Sequence, residues 1–520
     1  MESKESNDNL LIRLYRKLSI FKNRKAWAIF LILTPIFALI GYILFMNVSW
    51  QQVRYWPYDF PEKDVTSGLG IIIAGSIFSV ITLIVLIFSG IILLKKKRTR
   101  IFSKIKSKFP NLLVKVWAIG ILGGGIALMA LAVPDIKHNY YNAGPYLTWD
   151  IDQNPSNSIT VCWHSAFAQP SEVSYGTESE NLDQTATNSE QNGRYHWVAL
   201  ENLDPSKKYY YEVKGQEFGM KSFRTAPAQG SYNGQFSFCM YADPRTNNGN
   251  DDALDPANPY GENMPKEIMK HMQKEEKDLA FSLVAGDIVS RGVDYRSWWL
   301  WLNDISTSDF ASNYSHQIAI GNHEHHDDPT ARNMHNYYPY DNYSYSFTYG
   351  QVHFLVLDPY DYENGIWVDL QFPNDLKQWA LNDLEAHKDV PFQVISLHQS
   401  TINYGDFSDG GHHGNISEAI FELTNNYDVD LVFSGHSHHY EVSKLNETLF
   451  MEAGTGGNHN REDWVYNGGE NDVVNAGGTI MDWGGGESSF CQVDVNGNEM
   501  HIRTILLNGS EKRDYVIPAN

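Results

Sequence analysis

Five times between residues 236 and 438, an apolar, β-rich run ends in a polar, usually Gly-containing turn that carries Asp, Asn or His. Residues 236–240 precede Asp243, 281–285 precede Gly286 and Asp287, 317–320 precede Gly321 and Asn322, 392–397 precede His398, and 431–433 precede Gly435 and His436. Short apolar runs bounded by turn residues read as buried strands. The segments 265–276, 295–307, 374–387 and 416–427 read as helices between them. Such alternation predicts an α/β sheet with its polar turns on one rim, where residues far apart in the chain can share a site.

The residue types on that rim are the donors of a two-metal hydrolase. Phosphate ester hydrolysis is so slow in water that an enzyme must supply up to ~10²¹-fold acceleration. Two cations about 3.5–4 Å apart can clamp phosphoryl oxygens and lower the pKa of a bound water toward roughly 7. A carboxylate bridging both ions, with imidazoles and neutral oxygens filling the shells, is the donor set this chemistry calls for. Asp287 is the candidate bridge. Taken singly, Gly321-Asn322-His323 could be an ordinary turn and Gly435-His436-Ser437-His438 a surface histidine pair. All five in order, each behind a strand, point to a site.

In these motifs and their order the chain resembles the calcineurin-like metallophosphoesterases, and within them the purple acid phosphatase-like branch, from about Gly144 to the C-terminus. The resemblance implies an α/β (α+β) four-layer catalytic domain at 232–518 with a dinuclear metal site of iron, zinc or manganese. It implies Asp243, Asp287 and His438 on the first ion, and Asn322, His398 and His436 with Asp287 on the second. It further implies that His323, and His412 or His413 from the loop after His398, contact the phosphoryl group, with one histidine protonating the leaving oxygen. A metal-bridging hydroxide would attack phosphorus in a phosphomonoester carried by a small molecule or a protein. The same machinery suits a phosphodiesterase, and the fold without turnover would suit a ligand-binding or adhesion ectodomain.

Two positions depart from the family pattern. Where purple members carry a Tyr three residues after the bridging Asp, this chain has Ser290. Where other members carry a metal-binding His two residues after the first Asp, it has Arg245. The first ion is therefore expected to be weaker or different, with no purple colour. Arg245 itself suits bidentate contact with a phosphate or pairing with a nearby carboxylate. His325, His326, Asp327 and Asp328 read as a solvated polar loop, and the alternating Tyr343, Tyr345, Phe347 and Tyr349 as a two-faced strand.

The first 133 residues pose a separate constraint. Apolar runs at 26–46, 68–94 and 116–133, of 21, 27 and 18 residues, approach or exceed what is needed to cross about 30 Å of hydrocarbon. Three transmembrane helices are expected. Basic clusters before the first run and after the second place the N-terminus in the cytoplasm, so the chain beyond residue 133 is expected outside, on the far side of the cell membrane. Residues 1–133 hold 18 of the 40 Lys+Arg and 6 of the 62 Asp+Glu, which leaves 22 against 56 beyond them. Such an acidic exterior excludes nucleic acid as a natural partner.

Residues 144–226 read as short strands at turn-separated intervals, an all-β sandwich that resembles the fibronectin type III-like domain ahead of purple acid phosphatase catalytic domains. Residues 455–486, rich in Gly, Asn and Asp, read as a long loop. Cys162, Cys239 and Cys491 read as buried small hydrophobes. The expected organisation is thus multidomain: membrane region 1–133, sandwich 144–226 and catalytic domain 232–518.

Overall fold

The computed structural model describes residues 141–519 apart from 152, 191–192, 229, 232–233, 246–263, 276–278, 326–327, 329, 341, 361–371, 402–413, 458–471 and 485–487. The expected membrane spans, His326, Asp327, His412 and His413 lie outside the described residues. Among the described residues no helix is long and apolar enough to cross a membrane.

The N-terminal module supplies β1 (Ala143–Thr148), β2 (Ile159–His164), β3 (Ser171–Gly176), β4 (Gln184–Asn188), β5 (Tyr195–Leu200), β6 (Lys208–Val213) and β7 (Lys221–Arg224). Next come β8 (Phe236–Tyr241), β9 (Leu279–Ala285), β10 (Ser315–Ala319), β11 (Tyr345–Tyr349), β12 (Val352–Leu357), β13 (Phe392–Leu397) and β14 (Leu431–Ser434). The chain closes with β15 (Tyr440–Leu445), β16 (Thr448–Ala453), β17 (Thr479–Gly484), β18 (Ser489–Val495), β19 (Glu499–Leu506) and β20 (Glu511–Pro518).

These strands form two large sheets, where the sequence suggested a single rim. One runs β20-β19-β18-β8-β9-β10-β1-β2-β5 and the other β11-β12-β13-β14-β16-β15-β17. Their centres are parallel, β8-β9-β10 in one and β12-β13-β14-β16 in the other. Strands β8, β10, β12, β13, β14 and β16 are buried at every position, as strands covered on both faces are. Aromatic rings from both sheets interlock between them: Phe281 of β9 lies 5.1 Å from Phe238 of β8 and 5.3 Å from Phe354 of β12, and Phe354 stacks on Phe347 of β11 at 4.8 Å. Each such pair contributes about 0.5–1.5 kcal/mol beyond its buried area.

Helices cover the outer faces. Met264–Glu275 and Tyr295–Thr307 bring Ile268, Met272, Trp298, Trp301 and Ile305 to the larger core cluster. Asn374–Ala386 and Gly414–Asn426 bury Leu384, Ile416, Ile420 and Leu423 against Leu355, Ile395, Val432 and Phe450. The result is the expected four-layer arrangement of helix, sheet, sheet and helix.

The N-terminal module is less separate than its sequence suggests. β1 pairs in parallel with β10 through Leu147 and Ser315, so β1, β2 and β5 continue the first large sheet while β4-β3-β6-β7 forms the second layer. Polar side chains tie the same seam: Gln317 Nε2 donates to Thr148 Oγ1 at 3.0 Å and the Tyr211 hydroxyl donates to the Ser312 carbonyl at 2.7 Å.

Two sequence expectations change, and β4 carries no strand signal because Gln184–Asn188 is a polar edge strand without a buried face. Part of the expected loop 455–486 is β17, which pairs with β15 but stays half-exposed and therefore lacks an apolar pattern. His325 and Asp328 are buried, not solvated: His325 Nε2 lies 3.6 Å from Asp358 Oδ2, and Asp328 Oδ2 accepts the Asn333 N–H at 3.1 Å. The two-faced reading holds for Tyr345, Phe347 and Tyr349, with all three rings buried and Ser346 and Thr348 half-buried between them, while Tyr343 lies in a bend ahead of β11. All three cysteines are buried, and none forms a disulfide among the described residues.

Candidate active site

Asp243, Asp287, Asn322, His398 and His436 each follow a strand within three residues, after β8, β9, β10, β13 and β14 respectively. The first large sheet delivers the oxygen donors and the second delivers the imidazoles. The turns that do so are sharp. Asp243, Asp287, His436 and His438 have φ of 55°, 55°, 76° and 58°. Left-handed backbone at a residue other than Gly costs about 1–3 kcal/mol and persists where surrounding structure holds it, most often at functional sites. Gly321 and Gly435 are required by close approach: a Cβ on Gly321 would stand 2.4 Å from Asp287 Oδ1, and one on Gly435 would stand 2.6 Å from Asp243 Oδ2.

Four donors converge on one point. His398 Nε2 lies 3.2 Å from Asp287 Oδ1 and 3.0 Å from Asn322 Oδ1, and His436 Nδ1 lies 3.1 Å from the same Asn322 oxygen. His398 Nδ1–H donates to the Ala285 carbonyl at 2.7 Å, which leaves the Nε2 lone pair facing the other donors. A backbone partner that fixes the tautomer in this way is characteristic of a metal-ligating imidazole.

A second group adjoins the first. One ligand atom each from Asp243, Asp287 and His438 lie within 4.8 Å of one another. His438 Nε2 is 3.4 Å from Asp243 Oδ1, a buried oxygen without a hydrogen-bond partner among the described residues. Asp243 Oδ2 accepts the His436 N–H at 2.8 Å. Arg245 enters this group, with Nη1 3.3 Å from Asp287 Oδ2 and Nη2 3.2 Å from His438 Nε2. Its backbone N–H donates to the Asp287 carbonyl at 3.0 Å, and the Asp243 N–H donates to that of Gly286 at 3.1 Å.

His323 sits at the margin. Its Nδ1–H donates to the Ser290 carbonyl at 2.6 Å, its Nε2 lies 3.8 Å from Asp287 Oδ2, and its side chain is 25% exposed where Asp287 is 1% exposed. The position where purple members carry Tyr thus supplies a carbonyl that orients a histidine.

Asp287 and Asp243 are pushed in opposite directions. Burial opposes ionisation of Asp287, but His323, His398, Arg245 and His436 hold its pKa well below the usual range. Burial pushes Asp243 up to about 7, and the Asp287 charge adds to that.

Two further carboxyls brace the loops. Glu324 Oε2 accepts the N–H groups of Asp287 at 2.9 Å and Gly321 at 2.7 Å, and Oε1 accepts that of Val289 at 3.1 Å. Burial, then the Asp287 charge, raises its pKa to about 8 against those three bonds. Glu452 does the same for the other sheet: Oε1 accepts the Ser437 N–H at 3.0 Å and Oε2 accepts the Ser434 hydroxyl at 3.2 Å. Burial holds its pKa well above the carboxylate range. The sequence reading gave neither a role. The signal for Glu452 was a charged residue inside the apolar run 448–453.

Another histidine group has a different character. His353, Asp383 and His387 cluster beside a cavity of about 170 Å³. His353 Nε2 bonds Asp383 Oδ2 at 2.7 Å, and the two imidazoles stack at 3.7 Å with planes 13° apart. An ion cannot lie in both ring planes at once, so this is a hydrogen-bonded pair, not a chelate.

Residues 145–226 match the model of the purple acid phosphatase N-terminal domain, and residues 261–440 match that of the calcineurin-like phosphoesterases. Probable purple acid phosphatase 20 of Arabidopsis thaliana is 25% identical over 329 residues, covering 57% of this chain and 69% of that protein. Purple acid phosphatase 22 of the same plant is 34% identical over 105 residues, covering 20% and 22%. In fold, purple acid phosphatase PPD1 from yellow lupin (Lupinus luteus) seeds superposes with a TM-score of 0.53 at 17% identity over 73% of this chain and 74% of that one. PhoD superposes with a TM-score of 0.53 at 13% identity over 74% and 90%. The chain is a metallophosphoesterase that joins a purple acid phosphatase N-terminal domain to a calcineurin-like phosphoesterase domain.

Proposed function

We propose that this enzyme is a metal-dependent phosphatase acting on phosphomonoesters. The observation that carries the reading is the convergence of Asp287, Asn322, His398 and His436, with donor separations of 3.0 to 3.2 Å. Donors bound at right angles to one ion at about 2.1 Å stand about 3 Å apart, so the spacing fits a transition metal. Mixed nitrogen and oxygen donors suit zinc, manganese or iron. Asp243, Asp287 and His438 form the adjoining set into which Arg245 reaches. A bound cation would polarise a phosphoryl oxygen and supply a water nucleophile at neutral pH.

The chain's own residues would do the rest. Asp287, ionised and shared between both sets, would fix the donor geometry. Arg245 would offer its fork to phosphoryl oxygens. His323, oriented by the Ser290 carbonyl, would turn Nε2 toward the same oxygens and pass a proton to the leaving group, with His412 and His413 as further candidates for that task. The three apolar runs of the first 133 residues support a bilayer tether with the enzyme facing away from the cytoplasm.

The test uses the full chain, its Asp287→Asn variant and the monoester and bis-ester of p-nitrophenol with phosphate, with bound metal counted on the same samples. The reading expects metal-dependent turnover that prefers the monoester and is lost in the variant. Equal turnover in the variant would sink it, and preference for the diester would make the enzyme a phosphodiesterase. Cleavage of the catalytic domain by protease added outside intact cells is the expected result for the tether.

A further inference from the structure

The donor set formed by Asp243, Asp287 and His438 already holds a cation. The Arg245 guanidinium lies 3.3 Å from Asp287 Oδ2 and 3.2 Å from His438 Nε2, and its side chain is 13% exposed. Its backbone is pinned to the Asp287 carbonyl at 3.0 Å, so the side chain departs from a fixed point beside the site. Arg245 Nε is buried without a hydrogen-bond partner among the described residues, which leaves the fork with donor capacity in hand.

An ion bonded at about 2.1 Å to Asp287 Oδ2 and His438 Nε2 would lie no more than about 5.4 Å from those guanidinium nitrogens. In a buried site like charges at that range repel with little screening. The guanidinium is permanently protonated and covalently attached, so it is the cation that stays. The neighbouring set differs: Asn322 Oδ1 lies against both His398 Nε2 and His436 Nδ1, and His398 Nε2 reaches Asp287 Oδ1, the carboxylate oxygen that Arg245 does not bond.

We propose that Arg245 takes the place of the first ion, so that the protein keeps one transition-metal ion, held by Asp287, Asn322, His398 and His436, while the guanidinium supplies the second positive charge against the substrate phosphoryl group. The inference rests on the metal-dependent reading above. It explains why the chain lacks both of the additional first-ion ligands that its sequence led one to look for, at Ser290 and at Arg245 itself. It also leaves the other donors in waiting: Asp243 Oδ1 is buried, without a hydrogen-bond partner among the described residues, 3.4 Å from His438 Nε2, so removing the guanidinium should open a second site.

The experiment loads the full chain with manganese, removes loosely held ion by gel filtration, and combines elemental analysis with electron paramagnetic resonance. Wild type is expected to retain one ion per chain with the signal of an isolated manganese. Arg245→Ala and Arg245→His are expected to retain two, with an exchange-coupled signal. Arg245→Lys, which keeps the charge without the fork, is expected to stay at one. Two coupled ions in wild type, or a second ion in the Lys variant, would overturn the proposal. Absence of bound ion in all four proteins would overturn the metal-dependent reading itself, and turnover of p-nitrophenyl phosphate in those samples separates the two failures.

Discussion

Glu324 offers a stringent test of how the site is held. Its carboxyl is wholly buried and accepts three backbone N–H groups, from Asp287, Gly321 and Val289, at 2.9, 2.7 and 3.1 Å. Glu324→Ala would remove every acceptor and leave three buried donors unsatisfied. At about 1–3 kcal/mol for each such group, the cost is about 3–9 kcal/mol, a large share of the roughly 5–15 kcal/mol that stabilises a typical protein. Glu324→Gln keeps one oxygen. If that oxygen takes the place of Oε2, only the Val289 bond is lost, at about 1–3 kcal/mol. Urea denaturation should therefore rank wild type, Gln and Ala in falling order. Hydrogen exchange should show the amides of Asp287, Val289 and Gly321 losing protection together in the Ala variant. Bound metal should fall in parallel, because Asp287 and Asn322 lose their backbone anchor. An Ala variant within about 1 kcal/mol of wild type, or indistinguishable from Gln, would refute the brace, since unsatisfied buried donors cannot be that cheap.

Three other outcomes follow from the same structure. His316 is fully buried between the Tyr241 and Ser282 hydroxyls, and burial lowers its pKa to about 3. A depressed folded pKa means that its contribution is complete above the unfolded value of about 6.5 and is lost as pH falls, at up to about 1.4 kcal/mol per pH unit. His316→Asn should flatten the stability profile between pH 6.5 and pH 4, measured by urea midpoints, and parallel profiles would count against this. Gly321→Ala would set a Cβ 2.4 Å from Asp287 Oδ1 and should cost at least about 1–3 kcal/mol together with metal retention. Gly193→Ala, where a Cβ meets nothing within 4 Å, should stay within about 0.5 kcal/mol of wild type by the same urea midpoints.

The sequence by itself determined which residues could serve and in what order they arrive. Each apolar run that must be a buried strand ends within three residues of Asp243, Asp287, Asn322, His398 or His436, and period and turn chemistry are local properties a sequence displays. What stayed illegible was pairing. Nothing in the strand runs says that β8, β9 and β10 belong to one sheet and β13 and β14 to another, so only the folded chain shows oxygen donors meeting nitrogen donors across two sheets. The seam between β1 and β10 was hidden for the same reason, since register between distant strands is set by long-range packing. β4 and β17 escaped because an exposed edge strand needs no apolar alternation. Glu324 and Glu452 are charges in buried surroundings, a local conflict that marks importance without naming a partner. Arg245 makes the division plainest. Sequence allowed it a phosphate or a carboxylate, and only tertiary structure, by bringing the Asp287 and His438 loops to either side of its guanidinium, set it between the two donors of a single site.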